Sequence, residues 1–141
     1  MTSVTLVRTI AARPAIVFAA LTTAEGIAGW WGPDDGPVLL AEIEPRVGGR
    51  FRVRFRRLDG NEHESSGEIV ELVPARRLAM TWRWLSGMED PGESLLSFDL
   101  RAVDNGTELT LTHARLDNEE TRVSHADGWS GALDKLARMF G

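Results

Sequence analysis

Cysteine is absent from the 141-residue chain. That excludes disulfides, thiolate nucleophiles and Cys-ligated zinc. Net positive charge is absent too: 16 Lys and Arg stand against 21 Asp and Glu, a formal charge of -5. A net acidic domain repels phosphate backbones, so nucleic acid is not expected as a partner. Long apolar runs are missing. In the first helical stretch the longest is Ala15 to Leu21, far short of the roughly 20 residues of a membrane span. The opening residues, MTSVTLVRTIAARP, hold no basic segment followed by an apolar stretch of the kind that directs secretion. The expectation is a cytoplasmic protein without membrane association, and Asn105-Gly106-Thr107 is read as a turn rather than a glycosylation acceptor. No segment has linker composition, and no repeat of about 20–50 residues is found. What is present, 43% hydrophobic and 26% charged residues, is ordinary globular material. A chain of this length buries about 70% of its unfolded surface, and one domain over residues 1–141 is expected.

The hydrophobic period changes twice along the chain. Residues 4–10 alternate and are rich in β-branched side chains, which predicts a strand with Leu6, Arg8 and Ile10 on one face. Pro14 opens a helix at a position where its missing N–H costs nothing, with Ile16, Val17, Ala20 and Leu21 as the apolar stripe. A second short helix runs from about Ala24 to Trp31 and stops at Gly32-Pro33. From residue 38 the period is two. Strands are expected over 38–44, 50–58, 64–73, 78–85, 93–103 and 107–114. Turns fall at Arg46 to Gly49, Asp59-Gly60, Pro91-Gly92 and Asn105-Gly106. Residues 50–58 alternate most cleanly, with Phe51, Val53 and Phe55 opposite Arg50, Arg52, Arg54 and Arg56. Leu78, Met80, Trp82 and Trp84 share a face, as do Leu96, Phe98, Leu100 and Ala102, and Leu109, Leu111 and His113. The period then returns to 3.6: Trp129, Leu133, Leu136 and Phe140 lie at i, i+4, i+7 and i+11. Ser124 and Asp127 have capping-box spacing, which places the start of the final helix near 125, with an earlier turn near Asp117.

Six consecutive strands joined by hairpin turns imply an antiparallel meander, and the long last helix is the element able to cover its apolar face. This layout resembles the helix-grip fold of the START-like (SRPBCC) superfamily. Within it the chain resembles the family named after the activator of heat-shock protein 90 ATPase. The residues that carry the likeness are Val7-Arg8-Thr9-Ile10 before Pro14, Gly29-Trp30-Trp31-Gly32-Pro33, Arg46-Val47-Gly48-Gly49, Gly67 to Pro74, Arg77-Leu78 with Thr81-Trp82, Leu111-Thr112-His113, and Gly128-Trp129 with Leu133 and Leu136. Val47 and Ala75 replace prolines usual in the family pattern, both at turns. The resemblance implies an α+β helix-grip fold: a curved antiparallel sheet of about seven strands around a long C-terminal helix, with two short helices after the first strand. It also implies a cavity between sheet and helix that holds a hydrophobic or amphipathic molecule in related proteins.

The residues supply candidates for that cavity. Trp31, Phe51, Phe55, Trp82, Trp84, Phe98 and Trp129 are expected to face inward. Tryptophan suits a binding wall because it brings a large apolar area and one N–H donor. Leu133 shares the inward helix face. His113 enters the apolar interior and must find a partner there, in the protein or in a bound molecule. Arg8 faces the same problem, answered by a carboxylate such as Glu71 or by an acidic head group. His125, one turn before Trp129, is placed at the pocket mouth, and His63 is read as solvated. The arginine strand is expected to form ion pairs with Glu42, Glu44, Glu62, Glu64 and Glu68 rather than to bind nucleic acid.

No HExxH, G-x-S-x-G, P-loop or G-x-G-x-x-G motif is present, and His113 and His125 lack helical metal spacing and a third ligand. No catalytic residue, cofactor or metal is therefore assigned. Three functions are weighed: a non-enzymatic binder of a small apolar or amphipathic molecule, a chaperone-cofactor-like interaction module, and a polyketide-cyclase-like enzyme using Arg8, His113 and an inward glutamate. The first is favoured, with the chain a monomer or homodimer.

Overall fold

The computed structural model describes residues 2–86 and 92–141; Pro91 of the expected Pro91-Gly92 loop lies outside them. The chain runs β1 (Thr2–Ile10), α1 (Pro14–Thr22), α2 (Ala24–Trp30), β2 (Val38–Ile43), β3 (Arg50–Arg56), β4 (Glu62–Val73), β5 (Arg77–Ser86), β6 (Ser94–Val103), β7 (Gly106–Leu116) and α3 (Glu119–Phe140). The strands form one seven-stranded sheet in the order β1-β7-β6-β5-β4-β3-β2, every pair antiparallel. This is the α+β helix-grip architecture expected from the sequence.

The sheet bends where β4 meets β5. Their register shifts twice, between Glu64 and Ser65 and between Ile69 and Glu71, and such irregularities increase local twist and curl the strand. Gly67 lies between the two shifts. A Cβ at this position would stand 1.8 Å from the Thr81 carbonyl oxygen, so only glycine lets the two backbones approach this closely. The concave face receives α3, whose Trp129, Ala132, Leu133 and Leu136 are buried against Phe51, Val53, Leu78, Leu96, Phe98, Leu109 and Leu111. α1 and α2 close one end through Val17, Leu21, Ile27 and Trp30.

Three local expectations change. In α1, Ile16 is exposed and Phe18 is buried. The helix reads PAIVFAALT, apolar almost all round, so its sequence period selects no face. On β6, Ala102 is exposed near the strand end. The cap of α3 is Asn118 rather than Ser124: its side chain accepts from the Thr121 N–H at 2.9 Å. Helix α3 is thus 22 residues long, about 33 Å at 1.5 Å per residue. Glu119 and Glu120 in its first turn and Arg138 in its last complement the helix dipole.

The convex face carries the arginines. Arg52 and Arg54 both donate to Glu64, at 2.6 and 2.8 Å, and Arg56 donates to Glu62 at 3.2 Å. The hydrogen bond from Arg52, reinforced by Arg54, holds the Glu64 carboxyl below the usual carboxylate range. The alternation of β3 therefore ends as an ion-pair ladder on one side and an aromatic wall on the other.

Candidate functional site

The aromatic wall borders a cavity of about 290 Å³ that is open to solvent on one side. The segment after α2 contributes Trp31, Gly32 and Pro33. The sheet contributes Phe55, His63, Trp82 and Trp84, with Arg57 just past β3, and α3 contributes Ser124, His125, Asp127, Gly128, Trp129 and Ala132. Six residues expected at a site are therefore brought together: Trp31, Phe55, Trp82, Trp84, His125 and Trp129. Phe51, Phe98 and Leu133 do not line the cavity. They are 2%, 1% and 0% exposed and belong to the packed core beneath it.

The segment from residue 31 to 37 is held from both sides. Lys135 Nζ donates to the carbonyl oxygens of Trp31 and Asp34, at 2.8 and 2.6 Å, and its burial lowers the ammonium pKa. The Asp34 carboxylate accepts from the N–H groups of Gly36 (2.9 Å) and Leu58 (3.0 Å), tying the segment to the β3–β4 turn. Gly131 completes the seat: a Cβ there would lie 2.0 Å from the Pro33 carbonyl oxygen. Gly131→Ala gains about 1 kcal/mol of helix propensity but forces the segment off α3. A net loss of about 1–3 kcal/mol is expected in urea denaturation, typical of overpacking.

The indoles are locked together on the inner side. Trp31 stacks on Trp82, with centroids 5.6 Å apart and planes at 18°. Trp129 stands edge-on to both at 5.3 Å, and Trp84 meets Trp82 edge-on at 5.3 Å. Two of these rings are fixed by histidines. Trp129 Nε1–H donates to His113 Nδ1 at 3.0 Å, and His113 Nε2 lies 2.7 Å from Ser94 Oγ. Because Nδ1 accepts, the neutral ring carries its proton on Nε2 and donates to Ser94. Trp84 Nε1–H donates to His125 Nε2 at 3.0 Å, and His125 Nδ1 donates to the Thr121 carbonyl at 2.8 Å. Burial, with neighbouring His125 second, pushes the His113 pKa down to about 3. Burial lowers that of His125 as well. Trp82 Nε1 finds no acceptor among the described residues.

His113 thus lies behind the cavity wall with both nitrogens engaged by the protein. Arg8 lies away from the cavity. Its guanidinium donates to Asp134 at 3.2 Å and Ser130 at 2.9 Å, fastening β1 to α3. Glu71, the partner considered for it, instead accepts from Arg77 at 2.7 Å. Among the described residues no glutamate lines the cavity, and these residues do not bring Arg8, His113 and an inward glutamate together. Among the described residues, no group of three His, Asp or Glu is placed to hold a metal ion, and no helix is long and apolar enough to cross a membrane.

His63 was expected in solvent but is 8% exposed and stacks on Phe55 at 5.4 Å. The signal was present: Glu62 and Glu64 point outward with the arginines, so alternation turns His63 inward, opposite Phe55 in the register. Arg57, Ser124, Asp127, Gly128 and Ala132 carried no sequence signal for a cavity, and Gly32-Pro33 signalled only a helix stop.

Solved structures share this fold over almost the whole chain. A protein of Chromobacterium violaceum superposes with a TM-score of 0.84 at 23% identity, over 99% of this chain and 98% of its own. The AHSA1 protein of Silicibacter pomeroyi does so with 0.85 at 25% identity, over 98% and 96%. A protein of the dynemicin biosynthetic locus superposes with 0.76 at 22% identity, over 96% of this chain and 46% of its own. Among curated proteins no sequence match is found. The family model described as Activator of Hsp90 ATPase homolog 1-like protein matches residues 11–141, and the chain belongs to that family.

Proposed function

We propose that the protein binds a small hydrophobic or amphipathic molecule in the cavity between the sheet and α3. One observation carries this reading: five large rings, Trp31, Phe55, Trp82, Trp84 and Trp129, border a space of about 290 Å³, at the lower end of small-molecule sites, which run from about 300 to 1,000 Å³. Arg57, Ser124 and Asp127 are exposed at its mouth. The arrangement suits an apolar body inside and a polar group at the rim. The chaperone-cofactor and cyclase readings draw on no comparable feature of the chain.

Naphthol, a neutral two-ring alcohol, is a suitable probe. Calorimetry at neutral pH is expected to show saturable binding at one site per chain. Gly128 lines the cavity, and a Cβ there meets nothing closer than Pro33 Cβ at 3.9 Å. Gly128→Leu therefore fills the mouth without breaking the helix, and binding should weaken at least about tenfold, or 1.4 kcal/mol. Absence of saturable binding, or equal binding by the variant, would defeat the proposal.

A further inference from the structure

We propose that the cavity releases its occupant on acidification: protonation of His125 at Nε2 converts the acceptor of Trp84 Nε1–H into a donor and frees the Trp84 ring from the cavity wall. The inference rests on the binding function proposed above and concerns its control.

The geometry leaves one site for the added proton. The Thr121 carbonyl only accepts, so His125 Nδ1 must keep its hydrogen, 2.8 Å away. The remaining basic nitrogen is Nε2, the one that receives the Trp84 N–H at 3.0 Å. Once protonated, two N–H groups face each other where one hydrogen bond stood. His113 is built the same way, its only basic nitrogen being the acceptor for Trp129.

His125 is the imidazole that responds first. It lines the cavity and is 6% exposed, whereas His113 is fully buried. The two rings lie 4.9 Å apart, so one charge opposes the second. The groups around the pair come from every packed element. β4 brings His63, its ring 6.0 Å from Trp84. β5 brings Trp82 and Trp84, β6 brings Ser94 and β7 brings His113 itself. α3 brings Thr121, Trp129 and, at the mouth, Asp127; Arg57 lies across the same mouth. No carboxylate among the described residues bonds to either imidazole. Among the described residues, then, a proton on His125 meets no ion-pair partner and is accommodated by movement of the Trp84 ring. Trp84 is the ring able to move. It is only half-buried, while Trp129 is wedged among Trp30, Trp31, Trp82 and Phe98.

The test measures naphthol binding by calorimetry at about pH 7.5 and about pH 5, where the probe stays neutral, with far-UV circular dichroism confirming the fold at both values. The wild-type dissociation constant is expected to rise at least about threefold at the lower pH. The Trp84 indole N–H resonance should titrate with the midpoint of the His125 ring. For His125→Gln the quantity read is the ratio of dissociation constants at the two pH values, whatever the affinity itself, and it should fall within about twofold of unity. A pH-independent wild type, an unchanged ratio in the variant, or a Trp84 resonance that ignores His125 overturns the gate and leaves the binding function standing. Absence of naphthol binding at about pH 7.5 removes the binding function and the gate with it.

Discussion

Taking the protein from about pH 7.5 to pH 5 should lower its unfolding free energy by about 2 kcal/mol through His113 alone, and by about 3 kcal/mol at pH 4. The sign follows from proton counting. The folded-state pKa, about 3, lies below the ordinary imidazole value of about 6.5. The unfolded chain therefore binds the extra proton first, and stability is complete above about 6.5 and lost as pH falls toward 3. His125, also lowered by burial, acts in the same direction. A protein with an ordinary reserve of about 5–15 kcal/mol remains folded at pH 5 but with a visibly lower urea midpoint. His113→Gln provides the control. Its amide is able to accept from Trp129 and donate to Ser94, yet it does not titrate. The variant should be less stable than wild type at neutral pH, by about 1–2 kcal/mol for imperfect replacement of two buried hydrogen bonds. It should lose less on acidification, so the two stability–pH curves converge and cross near about pH 5–6. Parallel curves would show that His113 is not the group charged on unfolding.

Much of this arrangement was legible because strands expose their two faces as alternate letters. RFRVRFR in β3 separated the arginine ladder from the aromatic wall before any partner was known, and the burial of Phe51, Val53 and Phe55 follows it. The inward face of His113 was legible for the same reason, but its partner was not. Trp129 is 16 residues away on another element, and only the crossing of α3 over β7 brings them together. The segment after α2 shows the limit more sharply. Gly-Trp-Trp-Gly-Pro announces that a helix stops. That it then becomes a cavity wall depends on Lys135, 104 residues from Trp31, and on the missing side chain of Gly131. Arg8 likewise found its carboxylate 126 residues away, on Asp134, rather than on Glu71, the example the sequence offered beside an acidic head group. Local pattern decides which face a residue shows. Tertiary packing decides whom it meets there, and cavity walls are made of such meetings.

Trp129 joins the cavity wall to the buried histidine, and its replacement is expected to have the largest effect of any single change to the wall. It is 6% exposed and touches the rings of Trp30, Trp31, Trp82, Phe98 and His113. Trp129→Ala removes that packing and the donor to His113 Nδ1 together. A loss of about 3–5 kcal/mol is expected for truncating a large buried aromatic residue, read as a fall in urea midpoint with little change in slope. Trp129→Phe divides the two contributions. Most ring contacts survive, but the N–H does not, so an acceptor is left unsatisfied in the interior at a cost of about 1–3 kcal/mol. That same nitrogen is then free to take a proton. Removing the donor withdraws support from the neutral imidazole, so the folded-state pKa of His113 should rise toward its ordinary value. Trp129→Phe should therefore be less stable than wild type at about pH 7.5 yet lose less between pH 7.5 and pH 5. An acid loss as steep as the wild type's would mean that desolvation alone keeps His113 neutral and that the indole hydrogen bond only positions the ring.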